Sequence, residues 1–201
     1  MKTLRLTAIR RSLMFTAVTA SLFCVRPAQG FTVTLEQVGS NVVATGSGAI
    51  NLTGLTFSLS GTLANNVIIP NLGIIQMGGN LFLDQYFQIT GPASFGSGDF
   101  SLANTASGDF VGIFDSNGDI DVPQGYVSGA ALPNSMTFNN ATFASLGVTP
   151  GTYVWSWGTL LPNQNFTLII GGAGVPDGGS TVSLFGCALL GLAALRRKLS
   201  C

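Results

Sequence analysis

The chain has 201 residues, 46% of them hydrophobic and only 8% charged, which excludes intrinsic disorder because disordered chains are polar. Its eight Lys and Arg balance its eight Asp and Glu, it has no His, and every cation lies at one end or the other: Lys2, Arg5, Arg10, Arg11 and Arg26, then Arg196, Arg197 and Lys198. Between the ends stand Glu36, Asp84, Asp99, Asp109, Asp115, Asp119 and Asp121 with nothing to balance them, so a phosphate backbone is repelled and nucleic-acid binding is excluded.

Residues 1–30 read as a secretory signal. A basic segment at 1–11 precedes an apolar run at 12–25, and Ala28-Gln29-Gly30 offers small residues where a signal peptidase cuts. Cleavage is expected before Phe31, with signal peptidase as the processing partner.

The exported domain is placed at 31–170. Residues 31–38 alternate apolar and polar with period two, as a half-buried strand does. Further strands are predicted at 41–45, 50–59, 67–69, 82–90, 110–114, 120–122, 136–138, 152–157 and 166–170. Gly39-Ser40, Gly46-Ser47-Gly48, Gly61 and Gly91-Pro92 punctuate them, and Asn117-Gly118 signals a type I′ hairpin. One helical turn fits 141–146. Short strands with Gly-rich turns and no long amphipathic helix predict an all-β fold, an antiparallel β-sandwich or jelly-roll-like domain. The three cysteines, Cys24, Cys187 and Cys201, lie outside it. The domain therefore has no disulfide framework and no cysteine metal site.

General bases and nucleophiles come mostly from His, Cys, Lys, Ser and carboxylates. The domain has no His, Cys or Lys. That leaves paired carboxylates as the only hydrolytic equipment, and nothing in the spacing of Asp84, Asp99 and Asp109 pairs them, so no enzyme is expected. Asp115, Asn117, Asp119 and Asp121 bring oxygens to alternate positions, which suits a weak Ca²⁺ loop. The spacing opens like an EF-hand and then fails at Ile120, where Gly is required, and at Tyr126, where Glu should close the shell. A plain Asx-rich turn explains the same residues. No other cofactor is indicated. Tyr153, Trp155 and Trp157 fall on one face of a strand. They form either a platform for stacking sugar rings or part of the core.

Gly171-Gly172-Ala173-Gly174 and Val175-Pro176-Asp177-Gly178-Gly179-Ser180 make a Gly-rich linker and a signature segment at 171–180. An apolar run at 181–195 follows, then Arg196-Arg197-Lys198. As a helix this run rises about 22 Å, short of a hydrocarbon core of about 30 Å but within what a thinned bilayer accepts. A transmembrane helix with a basic tail is expected at 181–201. The three terminal cations act as the membrane stop and stay cytoplasmic.

A Pro-containing signature, an apolar helix and a terminal basic cluster together resemble the PEP-CTERM group of bacterial sorting signals. Val175-Pro176-Asp177-Gly178-Gly179 is especially similar to the VPDSG-CTERM variant, with Gly178 where that variant usually has Ser. Residues 142–158 also resemble a segment found near the end of other PEP-CTERM proteins. The resemblance implies processing by an exosortase, a membrane-embedded transpeptidase-like enzyme. It implies a host that makes exopolysaccharide and delivery to the cell surface or extracellular matrix. The expected function is a secreted, surface-sorted structural or adhesive protein of that matrix. The alternative is a carbohydrate-binding module, with calcium at the Asp115 loop and sugars on the aromatic strand.

Overall fold

The computed structural model describes residues 30–62, 65–79, 82–114, 118–159 and 161–171. The expected signal peptide up to residue 29, the membrane helix and the sorting signature lie outside these residues. Within them are thirteen strands and one short α-helix.

Six strands form one sheet: β1 (Phe31–Val38), β2 (Asn41–Ala49), β8 (Thr105–Gly108), β11 (Ala131–Phe138), β12 (Gly151–Ser156) and β13 (Asn165–Ile170). Their order is β12-β13-β1-β2-β11-β8. The other seven are β3 (Thr56–Thr62), β4 (Val67–Ile69), β5 (Ile74–Met77), β6 (Phe82–Phe87), β7 (Ser101–Leu102), β9 (Val111–Phe114) and β10 (Asp119–Pro123), in the order β3-β6-β10-β9-β5-β4-β7.

Alternation decides which side chains go in. In β1, Phe31, Val33 and Leu35 are fully buried while Thr32, Thr34 and Glu36 are not. In β13, Phe166, Leu168 and Ile170 point the same way. From the second sheet Ile75, Met77, Val111, Ile113, Ile120 and Val122 meet them in one continuous core. The sheets therefore stack face to face, as the alternating pattern predicts. Each such side chain contributes roughly 1.5–3 kcal/mol on burial. The heaviest cluster is aromatic. Trp155 meets Phe166 edge-on at 5.8 Å, and Phe31 stacks on Phe166 at 5.7 Å.

One pairing departs from the antiparallel expectation. β1 runs parallel to β13, with Phe31 beside Phe166 and Leu35 beside Ile170. The first and last described strands thus sit side by side in the middle of one sheet. The ladder continues to Gly171, whose N–H donates to the Leu35 carbonyl at 3.1 Å.

The predicted turn at 141–146 is α1 (Phe143–Leu146), a single helical turn. Its capping box is reciprocal. The Ser145 N–H donates to Thr142 Oγ1 at 3.0 Å, and the Thr142 N–H to Ser145 Oγ at 2.8 Å. The β9–β10 hairpin also forms, but Phe114 pairs with Asp119, so four residues link the strands rather than the two of a type I′ turn.

Candidate functional site

Position in the sandwich separates the sequence candidates. Trp155 and Trp157 are 0% and 4% exposed, and Tyr153 packs against the core from the end of the same face. The Trp157 indole N–H donates to the Asn51 carbonyl at 2.7 Å, and the Tyr153 hydroxyl to the Thr149 carbonyl at 3.0 Å. The shared face was read correctly, but it is the core face. With Phe95 set edge-on against both Tyr153 and Trp155, these rings present no sugar platform.

The calcium loop is divided. Asp115 and Asn117 lie outside the described residues, while Asp119 and Asp121 belong to β10. Among the described residues no group of three or more His, Cys, Asp or Glu is arranged to hold a metal ion. Asp121 is fully buried, and its oxygens face N–H donors. Gln76 Nε2 reaches Oδ2 at 3.1 Å and Gln85 Nε2 reaches Oδ1 at 3.3 Å. A cation at those oxygens would meet the amide hydrogens.

Asp84 and Asp99 are engaged separately. Asp84 accepts from Ser60 Oγ at 2.5 Å and from the Gly125 N–H at 2.8 Å. Asp99 accepts from Asn71 Nδ2 at 2.7 Å.

What the structure brings together is a groove of about 480 Å³ on the outer face of the seven-stranded sheet. Register explains it. Gln85 pairs with Asp121, Asp121 with Gly112, and Gly112 with Gln76. The four residues form one row across β6, β10, β9 and β5, on the face opposite the core residues Ile75, Ile113 and Ile120. Phe114, Asp119 and Phe87 form the next row. Leu59 of β3 closes one side.

Asp119 and Gln76 at the floor are 2% and 7% exposed, while Leu59 and Phe87 on the walls are 48% and 38% exposed. The groove is lined from five neighbouring strands, β3, β6, β10, β9 and β5. Gly112 keeps the row compact, because a Cβ there would lie 2.9 Å from the Gln76 side chain.

Burial pushes the Asp121 carboxyl up to about 6, with Asp119 adding to the rise and the two glutamine N–H donors opposing it. The sequence offers Asp119 and Asp121 as members of either a weak calcium loop or an Asx-rich turn and gives Gln76 and Gln85 no role. The available signal was the i, i+2 spacing of the two aspartates against Ile120 and Val122, which marks one polar and one apolar strand face.

The decisive comparison lies at the other end of the chain. Residues 174–199 match the VPDSG-CTERM motif. The VPDSG-CTERM match spans the signature, the apolar run and the basic stop read above. It marks a secreted, surface-sorted protein processed by an exosortase-type system, with export and cell-surface association. No curated protein and no solved structure matches the chain.

Proposed function

We propose that this protein is a non-catalytic structural or adhesive component of an extracellular polysaccharide matrix. Signal peptidase removes residues 1–30. The run at 181–195 then holds the chain in the membrane while an exosortase cuts near Val175–Gly179 and passes the domain to the surface. The VPDSG-CTERM match at 174–199 is the observation that carries this reading. The sequence spacing supports it, because the matched sorting segment begins only four residues past Ile170, the last residue of β13. The lack of His, Cys and Lys throughout 31–170 supports a binding or structural role over catalysis.

Deleting residues 174–201 tests the sorting step. The truncated protein is expected in the culture medium, with its cell-surface fraction reduced at least five-fold in immunoblots of fractionated cells. An unchanged surface fraction contradicts the proposal.

A further inference from the structure

The groove sets polar side chains between apolar ones. Its floor offers the Gln76 and Gln85 amides and the Asp119 carboxylate. Its walls offer Leu59, Phe87 and Phe114. Asp121 lies in the same row and accepts from both glutamine Nε2 atoms. This fixes which way each amide faces, so a ligand meets preset donors and acceptors and loses little entropy in ordering them. The volume falls within the range of small-ligand sites, roughly 300–1,000 Å³.

We propose that this groove binds a segment of uncharged glycan. Vicinal hydroxyls are donors and acceptors at once, so they satisfy carboxylate and amide groups together, and the C–H faces of pyranose rings suit flat apolar walls. Charge selects among polymers. No cation occurs between residues 27 and 195, so nothing in the groove neutralises a carboxylate, sulfate or phosphate, and Asp119 repels them. A lipid chain would bring no hydrogen-bonding group to this polar floor. The groove residues lie at 58–119 in sequence, so the proposal does not rest on the sorting step.

Affinity electrophoresis of the full-length chain tests this, in a polyoxyethylene detergent that carries no sugar headgroup. Native gels are cast with dextran, hydroxyethylcellulose, galactomannan or, as the charged contrast, alginate. Retardation by at least one neutral polymer is expected, with none by alginate. Phe87→Ala, at an exposed wall position, should weaken the retardation at least five-fold without changing the far-ultraviolet circular dichroism. Gln85→Leu should do the same if it folds. Free migration in all three neutral gels overturns the proposal. So does retardation that Phe87→Ala leaves unchanged, or retardation stronger in alginate than in any neutral gel.

Discussion

Asp121 shows how one residue links the fold to the groove. Its carboxyl is shifted from 3.8 to about 6, chiefly by burial. Between these values the folded chain holds a proton that the unfolded chain has released. Stability from this group is therefore complete below about pH 4 and is lost as pH rises through about 6. Asp121→Asn removes the charge and should be more stable than the parent at pH 7, by up to about 3 kcal/mol. It should also flatten the pH 4–6 slope in urea unfolding. Equal stability of the two proteins at pH 7 would show that burial does not penalise this carboxylate.

Gly46 makes the opposite point. The Gly-Ser-Gly run at 46–48 reads as a turn, yet it lies inside β2. A Cβ on Gly46 would stand 2.1 Å from Asn134 Oδ1 and 2.8 Å from the Phe31 ring. Asn134 spans the core from this spot and donates to the carbonyls of Met77 at 3.2 Å and Asp109 at 2.9 Å. Gly46→Ala should therefore cost about 1–3 kcal/mol through overpacking, read as a lower urea midpoint. The sequence does not disclose this position because the reason for glycine is a contact from Asn134, on a strand far along the chain.

At the scale of elements, legibility follows the pattern of burial. β1, β12 and β13 were placed to within a residue or so, since each alternates cleanly between core and solvent. β5 was missed because all four of its residues are buried, two in the core and two toward the groove face, so Ile-Ile-Gln-Met shows no alternation. β7 and β8 were missed for the reverse reason: they are short, polar and largely exposed. β3 was expected to begin at Ile50, but that residue is buried beyond the end of β2, where the Tyr126 hydroxyl accepts its N–H at 3.0 Å. The short α1 was legible through its Thr-Phe-Ala-Ser start. Thr142→Ala removes one arm of that capping box and should lower stability by about 1 kcal/mol. No change in the unfolding midpoint would mean that packing of Leu146 and Val148 alone holds the turn.

Across the whole molecule, function and fold were read from different parts of the chain. The destination was legible because membrane handling depends on length, apolarity and terminal charge, which are properties of contiguous sequence. The groove was not, because it assembles residues from five strands whose register only the folded sheet defines. The two meet at the parallel β1–β13 pair. The exported chain enters the sheet at Phe31 and leaves it after Ile170, at opposite ends of neighbouring strands. The sorting segment follows the last ladder residue, whereas Gly30, the last residue of the expected signal, still bridges Ala49. Intact-mass measurement of the protein recovered from the surface of its native host tests export and sorting together. The expected species starts at Phe31 and ends between Val175 and Gly179, plus the mass of anything transferred to it. A surface-recovered chain that retains residues 1–30 and runs unbroken to Cys201 would contradict it.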